Sequence, residues 1–485
     1  MATPIPVNTA RFTARSIAEA TNGSIARGGS AETCGITTDS RAVVPGCAFV
    51  ALRGETSDGH AFVDAAIGRG ARVVVVERGR GSSTHAADVV EVDDTLRAWG
   101  DVARAHLRNW RAVRAATSRG RVVAITGSAG KTTTKELCAS ILGAVGPSLA
   151  TTGNLNNRIG LPATAFCVDP MHRFVVLEAG MSVPGEIAEL ARIAEPDVAV
   201  VTNIGLAHAA GVGGSLADVA REKGALYLGL GVEGVAIVNV DDRAAVDRAE
   251  RSPASTRVGF GRGASARYRI ESCESRGGRG SRVVVVRDGE HIEVDLPILG
   301  DAAALDFAAA LAAADAAAGE PISHEALARV AFHAIAGRGA ARLLGRDVLL
   351  VDDTYNANPS SMRNALAGLA EIGRVESRRT VAVLGEMREL GAVAEAEHTA
   401  IGDAIVSAGV SLVIGSGGLV DLTLERAASG GVTTIRGASA ADAAQRAVAS
   451  IRPRDVVLVK GSRGVALERV VEEIVRAVGA AGDTR

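Results

Sequence analysis

The stretch Ile125-Thr126-Gly127-Ser128-Ala129-Gly130-Lys131-Thr132-Thr133-Thr134 restricts the fold more than any other part of the chain. An apolar run, Val122 to Ile125, leads into it, and a helix-like run, Lys131 to Leu142, leads out. Strand, glycine loop and helix in that order build a phosphate cradle. The glycines let backbone N–H groups close around phosphate oxygens, and the helix N-terminus adds positive potential. Lys131 can reach the terminal phosphates, and the Thr132 hydroxyl can hold Mg²⁺. Gly127, Ser128, Ala129, Gly130, Lys131, Thr132 and Thr133 are therefore expected to bind a nucleoside triphosphate. The common form of the motif has a glycine five residues before Gly130; Ile125 stands there, so this loop is a shortened version.

A loop of this kind needs a parallel sheet around it, and the chain supplies one. Strand-like runs at Val122 to Thr126, Phe174 to Glu178, Val198 to Ile204 and Val235 to Val240 alternate with helical stretches. That alternation implies right-handed crossovers and a ligand crevice at the strands' carboxyl ends. Polar residues stand at those ends: Glu178, Asn203, His208, Asn239, Asp241 and Asp242. Hydrophobic residues make up 47% of the chain and aromatic ones only 3%, so the core must be built mainly from Ala, Val, Leu and Ile, as in helix-covered parallel sheets.

Before this unit lies a compact α/β stretch, with strands expected at Cys47 to Leu52, Arg72 to Val76 and Val89 to Val92 and a helix from Thr95 to about Arg111. Its polar clusters Thr38-Asp39-Ser40-Arg41 and Asp58-Gly59-His60 read, taken singly, as turn and cap chemistry. After the glycine-loop unit come a smaller β segment with a hairpin at Asp288-Gly289, an Ala-rich helix over Ala302 to Ala318, and a hinge-like Gly337-Arg338-Gly339. A second doubly wound sheet is expected from Asp347 to Val351, Thr380 to Leu384, Leu412 to Ile414 and Val456 to Val459. A length of 485 residues accommodates about three domains. The α/β fold is thus divided at 1–112, a small N-terminal domain; 113–336, a central P-loop domain with a parallel sheet; and 337–485, a C-terminal Rossmann-like domain.

The net charge of −2 argues against a general nucleic-acid surface. No run reaches the roughly 18 uncharged apolar residues of a membrane span, so a cytoplasmic, non-membrane enzyme is expected. Five scattered cysteines, without metal or redox spacing, fit reduced thiols.

The lysines are more telling. There are four, Lys131, Lys135, Lys223 and Lys460, against 49 arginines. A residual lysine marks a place where a compact ammonium, or an amine able to lose its proton, is needed. Thr132 and Glu178 supply hard oxygen ligands on neighbouring strand ends, one plausible Mg²⁺ site. Lys223 sits on a helix after His208. A second cation beside metal sites would be repulsive, so Lys223 is expected either to contact phosphate or to be modified. A carbamate formed with CO₂ would reverse its charge and make it a metal ligand.

These residues carry a resemblance. The glycine loop, Thr152-Gly153-Asn154-Leu155-Asn156-Asn157-Arg158-Ile159-Gly160-Leu161-Pro162, Glu178 with Gly180, His208, Lys223 and Asp352-Asp353-Thr354-Tyr355-Asn356-Ala357-Asn358-Pro359 resemble the Mur ligases of bacterial peptidoglycan synthesis. The likeness runs from Thr38-Asp39-Ser40-Arg41 to Lys460-Gly461-Ser462-Arg463. Within the family, Gly-Asn-Leu-Asn-Asn and Tyr-Asn-Ala-Asn-Pro are similar to the member that adds the terminal dipeptide. The Asp-Asn-Pro-Arg string of the member adding the third residue is missing.

The resemblance implies an ADP-forming ligase with the substrates UDP-N-acetylmuramoyl-tripeptide, ATP and D-alanyl-D-alanine, working through an acyl phosphate, as a monomer. It implies that Lys131 and Arg338 contact phosphate, that Thr132 and Glu178 hold a first Mg²⁺, and that His208 and carbamoylated Lys223 hold a second. It places Asn239, Arg338 and Asp353 near adenine, phosphate and ribose. Asp39, Ser40 and Arg41 fall at the uridine end, and Asn154, Asn156, Asn157, Tyr355, Asn356 and Asn358 at the substrates.

One departure stands out. After Leu299-Gly300 the family usually shows a His-Asn pair and a further Asn that contact the nucleotide, where this chain has Ala302, Ala303 and Asp306. The alternatives are another ATP-dependent amide ligase, a GTPase, and an inactive scaffold. The GTPase lacks an Asn-Lys-x-Asp string here, and the altered helix start is the one hint of the scaffold.

Overall fold

The computed structural model describes residues 3–54, 57–81, 86–115 and 120–479. The N-terminal unit is a five-stranded sheet in the order Ser24–Arg27, Asp88–Val92, Val73–Glu77, Ala48–Val50, Ile36–Thr37. The last four strands are parallel and the first is antiparallel to its neighbour.

The helix Thr95–Arg114 leaves this unit and ties it to the next. Asp94 caps its first turn by accepting from the N–H groups of Leu96 and Arg97. Its buried stripe, Trp99, Val102, Ala103, Leu107 and Trp110, follows the spacing of one helical face. Trp99 Nε1 donates to the Ile159 carbonyl at 3.0 Å and Trp110 Nε1 to the His172 carbonyl at 3.1 Å, while Arg104 and Arg108 both grip Glu195. The core is accordingly continuous from Phe12, Ile17 and Val75 through Trp99 to Leu177, Leu190 and Val201. The N-terminal and central units share it.

The central sheet has nine strands. From Ser148–Ala150 it runs through Phe174–Glu178, Arg121–Thr126, Val198–Val201, Val235–Asn239, Thr256–Gly261 and Tyr268–Ser275 to Ser281–Arg287 and Glu290–Leu296. The first seven are parallel. The closing hairpin is antiparallel, and its turn residues Asp288 and Gly289 both have positive φ, 51° and 90°. What the sequence presents as a separate small β segment is therefore the edge of this sheet. Two strands hidden from periodicity, the glycine-interrupted Thr256–Gly261 and the polar Tyr268–Ser275, join it. The expected strand Val198 to Ile204 ends at Val201, because the next three residues turn onto the glycine loop.

The C-terminal sheet has the order Ala340–Leu343, Leu349–Asp353, Val456–Lys460, Thr380–Gly385, Leu412–Ser416, Thr433–Gly437, parallel except for its first strand. Its second strand starts two residues later than expected, because Arg346 and Asp347 adopt positive φ in a tight turn. Helices cover both faces, giving two cores. Among the described residues no helix is long and apolar enough to cross a membrane.

Candidate active site

The strand Arg121–Thr126 lies between Phe174–Glu178 and Val198–Val201, with Glu178 opposite Ile125 and Val201 opposite Thr126. The glycine loop thus emerges between two strand ends, and each supplies polar side chains to it. From one side, Thr202 Oγ1 donates to the Ala129 carbonyl at 2.6 Å. The Asn203 side chain clasps Ala129 through both its atoms, and Ser128 Oγ exchanges hydrogen bonds with Gly205. From the other side, Glu178 accepts from Thr132 Oγ1 at 2.7 Å and from Asn156 Nδ2 at 2.8 Å. The loop's shape is fixed before any ligand arrives.

Gly127 is required by this packing. Its φ is 155°, and a Cβ there would sit 1.8 Å from Thr202 Oγ1. Its carbonyl accepts from both Lys131 Nζ, at 2.8 Å, and Lys223 Nζ, at 2.9 Å. Lys223 is buried, and that burial together with the neighbouring Lys131 charge pushes its pKa well below that of a free lysine. Burial also lowers Lys131, against the pull of Glu178.

His208 has a left-handed backbone, φ 57°, which turns its ring out of the central unit to meet Glu389 of the C-terminal one. Its pKa is lowered, first by burial and then by Lys131, with Glu389 opposing. A second interdomain link is made by Asn358, which caps the helix Pro359–Glu376 and donates through Nδ2 to the Ser128 carbonyl at 3.2 Å. Both links close the C-terminal unit over the glycine loop.

A cavity of about 580 Å³ fills the gap. Lys131, Lys223, Glu178, His208, Arg338 and Asp353 all line it, as do Asn154, Asn156, Asn157, Tyr355, Asn356 and Asn358. Arg338 lies over the Tyr355 ring, 3.9 Å from its centre, and Arg463 approaches the same ring at 5.3 Å. Asp353, whose pKa burial raises, accepts from Lys460 Nζ at 2.7 Å. Asn157 caps the backbone of Ile159 and Gly160, and Asn154 is held by Thr3, whose Oγ1 donates to its Oδ1 at 2.6 Å.

Two groups of expected site residues stand elsewhere. Asn239 is buried behind the loop, donating to the Thr202 carbonyl and accepting from the Asp241 N–H. Both amide atoms are thus engaged within the fold, and Asn239 borders a separate cavity with Asn203, Leu216 and Asp242 rather than the large one. Asp39, Ser40 and Arg41 lie on the N-terminal unit. There Asp39 caps the turn and pairs with Arg41, and the Ser40 carbonyl accepts from Arg69.

The structure also adds residues that sequence reasoning did not assign. Lys135 is fully buried and donates to the Thr151 carbonyl at 2.5 Å, and Thr151 Oγ1 in turn accepts from the Glu178 N–H at 3.0 Å. Lys460 holds Asp353 and the Asn356 carbonyl. Three of the four lysines thus line the cavity, and Lys135 lies behind it, linked to Glu178 through Thr151. Asp306 lines the cavity beside Gly130, accepts from Thr134 Oγ1 at 3.2 Å, and is pushed up to about 8 by burial. Of its two neighbours in the altered helix start, Ala302 lines the cavity and Ala303 is turned into the core.

Comparison with known proteins places this geometry. Residues 32–106 match the Mur ligase family catalytic domain, 125–314 the Mur ligase middle domain and 340–463 the glutamate ligase domain of Mur ligases. The UDP-N-acetylmuramoyl-tripeptide–D-alanyl-D-alanine ligase of Escherichia coli (strain K12) is 34% identical, over 90% of this chain and 93% of that protein. The ligase of the same name from Bacillus subtilis (strain 168) is 31% identical, over 96% and 98%. Among solved structures, MurF from Acinetobacter baumannii superposes with a TM-score of 0.85 at 28% identity, covering 98% of this chain and all of the other. MurF from Thermotoga maritima in complex with ADP gives 0.79 at 26%, covering 91% and 97%.

Proposed function

The chain belongs to the Mur ligase family, and from that premise we propose that it joins D-alanyl-D-alanine to UDP-N-acetylmuramoyl-tripeptide at the expense of ATP. This is the final cytoplasmic step in making the pentapeptide precursor of peptidoglycan. The observation that carries the reading is the one cavity on which Lys131 of the phosphate loop, Lys223, Glu178, Asn156 and the interdomain His208–Glu389 pair converge, with Thr132 bonded to Glu178 behind it.

In this reading a carboxylate oxygen of the tripeptide attacks the γ-phosphorus as the bond to ADP breaks, giving an acyl phosphate. The dipeptide amine then attacks the acyl carbon, loses a proton, and inorganic phosphate leaves. Both steps depend on positioning and on offsetting negative charge. Lys131 and Arg338 supply cationic contacts to the phosphates. Asn154, Asn156 and Asn157 position the peptide carboxylate, and Tyr355, Asn356 and Asn358 line the dipeptide's approach. Asp353 faces the ribose. The N-terminal unit, 1–112, holds the uridine end through Asp39, Ser40 and Arg41; residues 113–336 bind ATP and 337–485 the dipeptide.

The donors suit Mg²⁺. Thr132 and Glu178 are hard oxygen ligands already in contact, and Lys223 is an amine of depressed pKa, able to take up CO₂ as a carbamate with loss of a proton. Among the described residues no three His, Cys, Asp or Glu gather as a ready-made cage, so phosphate oxygens and water would complete the coordination. Thr132 and Glu178 would hold one ion, and His208 with carbamoylated Lys223 a second. Bound Mg²⁺ would neutralise charge between the carboxylate and ATP.

The test is phosphate release by the purified protein with ATP and Mg²⁺. It should require both UDP-N-acetylmuramoyl-tripeptide and D-alanyl-D-alanine. Brisk ATP hydrolysis with neither present, or equal use of other amine acceptors, overturns the assignment.

A further inference from the structure

The cavity changes character along its length. Its phosphate end is crowded with polar groups, whereas beyond Gly130 the walls become apolar. Leu299, Ala302 and Leu305 stand on the central side, and Ala365, Gly368 and Leu369 on the C-terminal side. The slot closes at its far end, where a Cβ on Gly300 would lie 3.7 Å from Gly368 Cα and one on Gly368 3.9 Å from Leu299 Cβ. A slot that is apolar on both faces and continuous with a phosphate loop fits a flat purine. A polar group must then read the edge of the base.

The central wall has little to offer. Ala302 presents a methyl group, Ala303 is turned into the core, and Asp306 accepts from the Thr134 hydroxyl. The opposite wall carries Asn364, exposed to the cavity, whose side chain makes no hydrogen bond to any described residue. The other asparagines of the cavity, Asn154, Asn156, Asn157, Asn203, Asn356 and Asn358, are each engaged. Its place along the helix also fits. Asn358 touches the glycine loop six residues earlier, about 9 Å along the axis at 1.5 Å per residue. Gly368, in the slot wall, follows one turn later on the same face.

We propose that Asn364 reads the nucleotide base, its carboxamide oxygen accepting from the 6-amino group of adenine and its amide nitrogen donating to N7. Guanine offers two acceptors, O6 and N7, on that edge, so either orientation of the amide sets one acceptor against another. The proposal rests on the ATP-ligase reading and assigns the base recognition that the altered helix start leaves open.

Calorimetric binding of ADP, 7-deaza-ADP and GDP to the full-length protein with Mg²⁺ tests it, comparing wild type with Asn364→Ala. Alanine suits a helix, and an unchanged melting temperature without nucleotide reports an intact fold. The variant should bind ADP roughly ten- to hundredfold more weakly, with GDP little changed. Wild type should discriminate against 7-deaza-ADP, and the variant should not. Unchanged ADP affinity, or an equal loss for all three ligands, overturns the role of Asn364. A wild-type protein that binds no adenine nucleotide overturns the ligase reading itself.

Discussion

Lys131 and Lys223 converge on one acceptor, the Gly127 carbonyl, at 2.8 and 2.9 Å. Two ammonium groups on one oxygen in a buried site repel, and the protein relieves this by depressing both pKa values, most strongly that of Lys223. A lysine whose pKa is lowered gives up its proton more readily, and the free amine is a nucleophile toward CO₂; an arginine in its place is neither neutral nor reactive.

Lys223→Ala should therefore lower kcat at least a hundredfold, and short carboxylic acids with bicarbonate should restore part of it by placing a carboxylate where the carbamate stood. The assay is ADP formation with both substrates saturating. A fully active Lys223→Arg enzyme would rule the carbamate out.

Glu178 is oriented by Asn156 and in contact with Thr132. Removing the amide leaves a buried carboxylate oxygen without its donor, a loss of about 1–3 kcal/mol. Asn156→Ala should lower kcat/KM roughly ten- to hundredfold and raise the Mg²⁺ concentration needed for half-maximal rate. Glu178→Gln should abolish turnover. Mg²⁺ titrations of the rate decide this, and an unchanged Mg²⁺ requirement in Asn156→Ala would show that Glu178 needs no such orientation.

Asp306 gives a pH signature. Burial raises its carboxyl from the ordinary 3.8 to about 8 in the folded chain, with Thr134 and the Arg338 charge opposing. Between those two values the folded state binds more protons than the unfolded one. Stability contributed by this group is therefore full below the unfolded pKa and is lost as pH rises toward 8, at no more than roughly 1.4 kcal/mol per pH unit. Asp306→Asn should flatten that part of the profile and gain most at pH 8. Urea denaturation at pH 5, 6.5 and 8 measures it; parallel profiles would mean that Asp306 is ionised throughout.

Trp99 is fully buried and bridges two units through Ile159. Trp99→Ala should cost about 3–5 kcal/mol. Because the N-terminal and central units share one core, both should lose stability together in a single shifted transition. Separate transitions seen by calorimetry, with only one displaced, would show that the two units fold independently.

Much of this was legible from local chemistry. The glycine loop needs a strand before it and a helix after it, and Arg121–Thr126 and Lys131–Gly143 are there. Alternating apolar runs marked most of the parallel strands, because a strand buried on both faces has to be apolar along its length. The scarcity of lysine pointed to four positions, of which Lys131, Lys223 and Lys460 line the cavity and Lys135 packs behind it on Thr151. Strands without that pattern, such as Tyr268–Ser275, escaped notice, since their pairing depends on neighbours far along the chain.

By itself, then, the sequence determined the order of strand, loop and helix, the phosphate chemistry of the loop and the candidate ligands at the strand ends, all of which follow from residues close together in the chain. Only the tertiary structure decided which polar groups have a partner. It spent Asn239 on the Thr202 carbonyl, brought Glu389 to His208 and left Asn364 open to an apolar slot. Such outcomes depend on contacts between residues that stand 37 and 181 positions apart in the chain, and no local pattern encodes whether a buried amide has met its match.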